Sequence, residues 1–326
     1  MNAIRPHTES KADPTPGLPS IRLPAVLLLA AALLAGLSAC DPYAQDSYRE
    51  YLVVESYLVA GAPLPEVRLT RTLPLEEEYT LQKAGVPDAS IRIMQLNESE
   101  SAVNTYTYRY DEEGTYLPVD NSARIRAGRR YRLVAEVAGE EPVRAETLVP
   151  GAFQATDVAV DSAAYQSDNQ IEVTTTPSYY PGRQSFFLFT LEVQDPTVVE
   201  LTPFYLDQYV QTDDGEERRQ LLEELAKNSS GIINERNYER NDNQTITLRL
   251  PWIAVAYYGP NDLIASAIDD NMYDFLRSQS VQTGGSTLPP GEVQNVRYHV
   301  EGGIGIFGSL ATDTVSIYIV RNHDLP

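Results

Sequence analysis

Cysteine, tryptophan and histidine are scarce in this chain of 326 residues, which contains one Cys, one Trp and three His. A single cysteine excludes a disulfide framework and any zinc site built from several cysteines. Because thiolate and imidazole are the ligands that transition metals prefer, so few of either argue against a transition-metal centre. We therefore expect no transition-metal centre.

Basic residues are also in the minority, since 25 Lys and Arg face 46 Asp and Glu for a net charge of −21. Binding to nucleic acid depends on clustered basic side chains that neutralise phosphates, so we expect no nucleic-acid partner. Hydrophobic residues make up 42% of the chain and charged residues 22%, which leaves enough apolar surface to bury a core. The composition therefore excludes a chain that is disordered throughout.

No apolar run in the sequence is long enough to cross a bilayer, for which a helix needs about 20 residues. The longest run covers residues 25–35 and follows a segment that carries Arg5, Lys11 and Arg22. A positively charged start followed by a short apolar stretch is typical of a signal peptide. We therefore expect this N-terminal segment to be removed from the mature protein.

The only cysteine lies just after that run, in the segment Leu37-Ser38-Ala39-Cys40. These four residues resemble the lipobox of bacterial lipoproteins, in which small residues precede the cleavage site and the thiol after it accepts diacylglycerol. The resemblance predicts that residues 1–39 are a lipoprotein signal peptide, that Cys40 is lipidated and that residues 40–46 begin the mature chain as a tether. The N-terminal lipid would then anchor the protein to the membrane. An ordinary secretory peptide with an incidental free cysteine is the alternative.

Alternation of apolar and polar residues with a period of two dominates residues 47–150. Short strands that recur about every ten residues, with no helical crossover between them, are typical of a β-sandwich. The expected strands cover residues 51–58, 66–73, 89–96, 105–110, 116–117, 131–137 and 144–149. Residues 114–116, 127–133 and 148–150 also resemble transthyretin-like sandwiches of outer-membrane proteins. We therefore predict a mainly β protein whose N-terminal domain, over residues 47–150, is an Ig-like or transthyretin-like β-sandwich.

Residues 151–326 are predicted to form a second β-rich domain with two short helices. The expected strands cover residues 155–160, 170–176, 186–193, 204–210, 244–250, 253–258, 293–300 and 315–320. The helices are expected at 216–227, where three leucines share a stripe, and at 269–279, which starts with an aspartate N-cap. The first helix belongs to an insertion near 211–243. Because connections of that length are usually functional, we interpret it as facing a partner, with docking of its leucines on the protein's own sandwich as the alternative.

Three segments of the mature chain carry a resemblance to a known family. They are residues 52–58, residues 67–72 and residues 295–308, the last of which contains Gly305-Ile306-Phe307-Gly308. Together with the lipobox, they resemble the Bacteroidota outer-membrane lipoproteins filed as domain of unknown function 4249 (DUF4249), over essentially the whole mature chain. Proteins of that family are commonly met beside TonB-dependent outer-membrane receptors, which implies an accessory role at that membrane. The resemblance supplies no catalytic residue.

The glycine-rich segment contains a formal match to the GxGxxG pattern of dinucleotide-binding sites. Such a site needs a strand before the pattern, a helix after it and an acidic residue about 20 positions further on. The chain after Gly308 is too short for these features and is predicted to be a turn and a strand. We therefore expect no nucleotide cofactor, and a structural role for Gly302, Gly303, Gly305 and Gly308 in which the backbone forms a bulge or approaches a neighbour closely.

Candidate catalytic and metal-binding residues are few. No Gly-x-Ser-x-Gly elbow is present, and His299 lies in an expected strand, so a serine hydrolase is not indicated. Acidic clusters at 76–78, 213–217 and 269–271 could supply oxygen ligands for calcium, but none has the spacing of a calcium loop. Two of them lie at predicted helix starts, where acids are favourable anyway. We therefore expect neither a catalytic nor a metal site.

Two adjacent tyrosine pairs are the candidate contacts for a ligand or partner. They are Tyr179 with Tyr180 and Tyr257 with Tyr258, and each pair lies next to a proline or glycine. We expect one ring of each pair to face outward, where it could stack on a sugar or anchor a protein partner. The preference of tyrosine for strands is the alternative explanation.

The sequence as a whole predicts a lipid-anchored outer-membrane protein that is not an enzyme. The expected function is that of an accessory or ligand-binding subunit associated with a TonB-dependent transporter. An envelope hydrolase of glycans or peptides is one alternative, and a structural surface adhesin is another. The leaflet in which the lipid is inserted stays open.

Overall fold

The computed structural model describes residues 48–158, 162–168, 171–282 and 296–322. Apart from Tyr48 and Arg49, all the described residues belong to one compact unit, Glu50–Pro326. The predicted signal peptide, the lipobox Leu37-Ser38-Ala39, Cys40 and the tether all lie outside the described residues. Among the helices within those residues, none has the length and apolar character needed to cross a membrane.

The predicted fold class is confirmed, since the described chain is mainly β. The strands are β1 (Leu52–Val59), β2 (Val67–Arg71), β3 (Ala89–Leu96), β4 (Ala102–Tyr110), β5 (Thr115–Pro118), β6 (Arg130–Val137), β7 (Val143–Leu148), β8 (Ala155–Val158), β9 (Ser162–Ala164), β10 (Ile171–Thr175), β11 (Phe186–Val193), β12 (Lys227–Ser229), β13 (Ile233–Asn234), β14 (Ile246–Leu250), β15 (Gly259–Ile268), β16 (Val300–Glu301) and β17 (Ile304–Val320). The α-helices are α1 (Leu81–Ala84), α2 (Pro203–Gln211), α3 (Gly215–Leu225) and α4 (Asp270–Gln282). Short 3-10 turns cover Val198–Glu200, Glu235–Asn237 and Trp252–Ala254.

Backbone hydrogen bonds join most strands into one 14-stranded sheet with the order β12-β11-β15-β17-β1-β2-β5-β4-β3-β6-β7-β16. Two further short strands attach to it, β13 to β11 and β9 to β17. A separate three-stranded sheet has the order β14-β10-β8. Strands from both sides of residue 150 therefore belong to the same sheet.

The first hydrophobic core lies between two parts of the large sheet. Side chains of β1, β2 and β5 share it with side chains of β3 and β6, and five of them are at most 1% exposed. These residues are Leu58, Leu69, Tyr116, Ile93 and Leu133. Full burial of such a side chain contributes roughly 1.5–3 kcal/mol. The period-two alternation of the sequence thus produces a sandwich, as predicted, because each strand has one face to bury.

The second core lies between the three-stranded sheet and the β11–β15–β17 part of the large sheet. Val173 of β10 and Leu248 of β14 pack with Phe187 of β11 and Leu263 of β15, and all four are fully buried. This core draws its residues from positions 153 to 319, whereas the first core draws nearly all of its residues from positions 52 to 149. The domain boundary expected near residue 150 stays a prediction.

The long strand β17 belongs to both cores. Its first half runs parallel to β1, starting with Ile304 opposite Val53, and its second half runs antiparallel to β15. Phe307 packs into the first core, whereas Ile317 packs into the second. One strand near the C-terminus therefore completes the sandwich with which the described chain begins.

The prediction of a strand at residues 204–210 is wrong, because this segment forms helix α2. Pro203 occupies the first turn, where a missing N–H leaves no helical hydrogen bond unmade. Tyr205 and Tyr209 lie one turn apart and pack into a third, small hydrophobic cluster. Aromatic residues favour strands locally, but a helix is what brings both tyrosines onto one buried face.

The central strand β15 was not predicted, and the strand predicted at 253–258 is a 3-10 turn followed by extended chain. β15 starts with Gly259-Pro260-Asn261-Asp262, a sequence typical of a turn. Pro260 is tolerated in it because the pairing with β11 ends at Asn261, and beyond that point the Pro260 carbonyl only accepts one hydrogen bond, from the Gln194 N–H at 3.1 Å. Pairing on both sides of the remaining strand outweighs the local preference for a turn.

The insertion near 211–243 packs against the protein itself. Helix α3 buries Leu225 and half-buries Leu221 and Leu222 against the cluster that contains Tyr205. Strands β12 and β13, in the same stretch, pair with β11. The leucine stripe is therefore docked on the protein's own sandwich, which was the alternative to a partner-facing stripe.

Candidate functional site

An open groove of about 810 Å³ lies beside strand β7. Three groups of residues line it: charged side chains of β6 and β7, the start of α4 together with Tyr180 and Pro181, and residues 298–301, which include β16. These groups come from sequence positions between 130 and 301. Residues on both sides of position 150 line the groove, so it forms only when both of these regions are folded.

Strands β6 and β7 contribute three arginines and one glutamate to the groove. These side chains alternate with core residues along each strand, so they emerge on the sheet face opposite the first core. Arg132 Nε donates to Glu146 Oε1 at 2.6 Å, whereas Arg130 Nη1 lies 3.6 Å from Glu146 Oε2. Arg144 forms no ion pair with any carboxylate of the described residues. One carboxylate is thus shared by two guanidinium groups, whereas Arg144 forms no ion pair with a described carboxylate and interacts with Glu136 only at longer range.

A fourth arginine fixes the loop before β11 to the start of α4. Arg183 Nε donates to Asp270 Oδ1 at 2.5 Å, and its guanidinium lies 3.8 Å from the centroid of the Tyr180 ring. The Tyr180 hydroxyl donates to Asp270 Oδ2 at 3.2 Å. Burial, helped by the nearby negative charge of Asp270, raises the pKa of Tyr180 above its usual value of 10. Tyr180 is therefore a neutral hydrogen-bonding group at the edge of the groove.

Residues before β16 contribute an imidazole and an exposed aromatic ring. His299 Nε2 lies 2.8 Å from Asp274 Oδ2 of α4, and the Tyr298 ring lies 6.4 Å from the ring of Phe275. Ser278 Oγ, which lies on the same helix, donates to the Asp274 backbone carbonyl at 2.7 Å. In the ranges that the structure describes, no serine hydroxyl is hydrogen-bonded to His299. A base–acid pair is present here without a nucleophile beside it.

A buried polar cluster lies directly behind the groove. Thr147 Oγ1 donates to Asp269 Oδ2, and the Asp269 Oδ1 atom accepts from the Met272 backbone N–H at 2.9 Å. Ser309 Oγ of β17 lies 2.5 Å from Thr147 Oγ1. Burial raises the pKa of the Asp269 carboxyl from 3.8 to about 6, against the opposing effect of these hydrogen bonds. The cluster joins β7, β17 and the start of α4, and so fixes the elements that line the groove.

The amide of Asn271 caps the exposed edge of β7. Its Nδ2 donates to the Glu146 carbonyl at 2.6 Å and to the Phe307 carbonyl at 2.8 Å. The predicted acidic cluster at 269–271 thus serves three separate structural purposes: an N-cap, an ion pair with Arg183 and an edge cap. None of the described residues forms a group of three or more acidic, histidine or cysteine side chains suited to a metal ion.

The two predicted tyrosine pairs differ in where their rings lie. Tyr179 is 72% exposed and Tyr180 is 8% exposed, so one ring of this pair faces outward. Tyr257 and Tyr258 are 1% and 9% exposed, which contradicts the expectation of an outward ring in the second pair. They belong to the third and second hydrophobic clusters, where apolar burial holds both rings. Only the first pair therefore lies near the groove.

The glycine-rich segment lies at the start of β17 and outside the groove lining. A Cβ atom added at Gly302, Gly303, Gly305 or Gly308 would lie less than 3 Å from a neighbouring heavy atom. The shortest of these distances, 2.1 Å, separates the Gly305 position from the Val54 carbonyl oxygen of β1. The backbones of β1 and β17 are close enough at this point to exclude a side chain.

The groove-lining arginines were not singled out from the sequence. Arg130, Arg132 and Arg144 alternate along two strands in a way that is typical of any solvent-facing sheet surface. His299 and Asp274 are 25 residues apart, and no spacing rule links them. Only an excess of basic residues over residues 124–132, in a chain that is otherwise acidic, could have drawn attention to this region.

The geometry defines a mainly β protein with two sandwich cores and a polar, arginine-lined groove beside the first of them. The chain belongs to the family described as Domain of unknown function (DUF4249), whose model matches residues 40–316. Among curated proteins, no relative matches the chain.

Several solved structures resemble the chain weakly. Trypsin-activated α2-macroglobulin from Escherichia coli is 10% identical, with a TM-score of 0.20 over 69% of this chain and 15% of that chain. A tetra-tandem repeat from the extending region of a large adhesion protein is 10% identical, with a TM-score of 0.21 over 82% of this chain and 48% of that chain. The chain therefore spans less than half the length of these proteins. TM-scores this low do not establish a common fold.

Proposed function

We propose that the protein is a lipid-anchored, non-enzymatic subunit of the bacterial outer membrane that binds a ligand for an associated TonB-dependent transporter. The observation that carries the ligand-binding role is the polar groove beside β7. Its volume, about 810 Å³, lies in the range of small-molecule sites, which is roughly 300–1,000 Å³. Arg132 is held in place by its ion pair with Glu146, and the buried cluster around Asp269 joins the elements that line the groove.

The membrane anchor is supported by the lipobox at residues 37–40. Two or three acyl chains on Cys40 would hold the protein at a bilayer, because each buried CH₂ contributes roughly 0.8 kcal/mol. The proposed partnership with a transporter rests on the resemblance to the DUF4249 lipoproteins, which are commonly met beside TonB-dependent receptors.

Purification from native membranes tests the partnership. We expect tagged full-length protein, solubilised in mild detergent, to recover a TonB-dependent receptor barrel in stoichiometric amount. A tagged lipoprotein from the same membrane, with no relation to transport, is the control for nonspecific recovery. Recovery of no barrel, together with turnover of a cell-surface glycan or peptide by the purified protein, would favour the envelope hydrolase instead.

The lipid anchor gives a separate prediction. Cys40→Ala should abolish incorporation of labelled palmitate, because no other thiol is available to accept diacylglycerol. Ser38→Ala keeps a small residue before the cleavage site and should label normally. Metabolic labelling followed by immunoprecipitation measures both variants. Persistent label on the Cys40→Ala protein would show that the segment is not a lipobox.

A further inference from the structure

We infer that the groove beside β7 binds an acidic oligosaccharide, whose carboxylates pair with Arg130 and Arg144. This inference rests on the proposed ligand-binding function and assigns it a ligand class. It follows from three features of the groove. Two arginines have no close carboxylate partner among the described residues, they are spaced apart along the strands, and an exposed aromatic ring lies beside them.

The charge of the groove differs from that of the rest of the chain. Three arginines and the three carboxylates Glu146, Asp270 and Glu301 line it, so the lining is balanced in charge. In the whole chain, by contrast, 46 acidic residues face 25 basic ones. A charge-balanced site on an acidic protein repels anionic ligands less than the surrounding surface does.

Two of the guanidinium groups have N–H donors that form no short hydrogen bond with a described carboxylate. Arg132 lies against Glu146 at 2.6 Å, but Arg130 approaches that carboxylate only to 3.6 Å and its side chain is 44% exposed. Arg144 has no ion pair with a described carboxylate, although Glu301 is its neighbour across the strand pair. A guanidinium presents a planar fork of donors that matches a carboxylate in two parallel hydrogen bonds. Each of these two arginines can therefore hold one carboxylate of a ligand.

The distance between the two arginines selects an extended ligand. In the β6–β7 pair, Arg130 lies opposite Leu148, and Arg144 lies opposite Val134. The two arginines are therefore four residues apart along the strand direction, which places their Cα atoms roughly 14 Å from each other. A ligand that carries two anionic groups on an elongated frame matches this spacing, with one group for each arginine.

The aromatic ring beside the arginines favours a saccharide over an acidic peptide. Tyr298 is 40% exposed and lines the groove, and its ring is supported by Phe275. A sugar acid carries its carboxylate on a rigid ring with an apolar face, so it can stack and form an ion pair in one pose. An acidic peptide has its carboxylates on flexible side chains, and binding would have to order each of them.

Isothermal titration calorimetry on the full-length protein in detergent, with trigalacturonate as the probe, tests the inference. We expect trigalacturonate to bind, and Arg130→Gln and Arg144→Gln each to weaken its Kd at least 10-fold. Arg144→Lys should weaken binding less than Arg144→Gln, since it keeps the charge but loses the fork. Arg109→Gln is the matched control: Arg109 is exposed on β4 outside the groove lining, and its loss should change the Kd by less than twofold.

Three outcomes would overturn the inference. They are equal binding of the neutral trimer maltotriose, equal or tighter binding of a triglutamate peptide, and no binding of trigalacturonate by protein whose thermal unfolding shows it to be folded. Each of these results is separate from the receptor recovery that tests the proposed function. A protein that co-purifies with a receptor but does not bind trigalacturonate would retain the proposed function and lose only its ligand assignment.

Discussion

Gly305→Ala should destabilise the protein by about 3–5 kcal/mol, because the new Cβ has no space and the backbone angle is unfavourable for alanine. Gly305 has a φ of +117°, and the Cβ position lies 2.1 Å from the Val54 carbonyl oxygen. That oxygen belongs to β1, which pairs in parallel with β17 at this point. To make room for a methyl group, β1 and β17 must separate, and β17 is the strand that contributes to both hydrophobic cores.

Gly128→Ala separates the two causes of this effect. Gly128 has a φ of +68°, but nothing lies within 4 Å of its Cβ position. Alanine there should cost only about 1 kcal/mol, from the backbone angle alone. Urea unfolding of both variants measures the difference. Equal losses of stability in the two variants would mean that the close approach of β1 and β17 at Gly305 does not matter.

Asp269→Asn should change how the stability of the protein depends on pH. Burial raises the pKa of the Asp269 carboxyl from 3.8 to about 6. Between these values the folded protein binds a proton at this site more readily than the unfolded chain does. The contribution of Asp269 to stability is therefore fully present below about pH 4 and is lost as the pH rises through 6. Two pKa units correspond to about 3 kcal/mol.

Asparagine at position 269 is neutral at every pH and can still accept from the Met272 backbone N–H. We therefore expect the free energy of unfolding of the variant, relative to wild type, to rise by about 3 kcal/mol between pH 4 and pH 7. Chemical denaturation at closely spaced pH values measures this difference. A difference that does not change with pH would show that Asp269 is ionised at no greater cost in the folded state.

Asp120→Asn provides a control with the opposite sign. Hydrogen bonds from Ser122 lower the pKa of the Asp120 carboxyl, which lies on the surface. Its contribution to stability is present above its unfolded pKa and is lost as the pH falls through the lower, folded value. Removing this carboxyl should therefore relatively destabilise the protein at neutral pH and have no effect in strong acid.

Several elements follow from local sequence alone. The strand over residues 89–96 and that over 186–193 have the bounds that the alternation of apolar residues predicts, because each strand has one face to bury. Helix α4 starts directly after Asp269, whose side chain caps it, since that hydrogen bond forms within one turn. In each case the deciding interaction lies within a few residues of the pattern.

Other features depend on partners that are distant in sequence. Residues 203–211 are helical because the two tyrosines of that segment pack against residues from β11 and from the chain before β15. Strand β15 forms despite a turn-like start, because β11 and β17 pair with it on both sides. Tyr257 and Tyr258 are buried for the same kind of reason, since hydrophobic clusters built from other elements enclose their rings.

The sequence by itself predicted the mainly β class and a structural role for the glycine at position 305, whereas the lipobox at residues 37–40 stays a prediction. Only the tertiary structure determined that the groove forms and which residues line it. Arg130 and Arg144 alternate on strands like any solvent-facing residues, and His299 and Asp274 are 25 positions apart, so no local pattern connects them. They come together because β17 joins the described beginning and end of the chain, and α4 packs against it through the buried carboxyl of Asp269. Long-range pairing of this kind is set by burial across the whole fold, which no window of sequence contains.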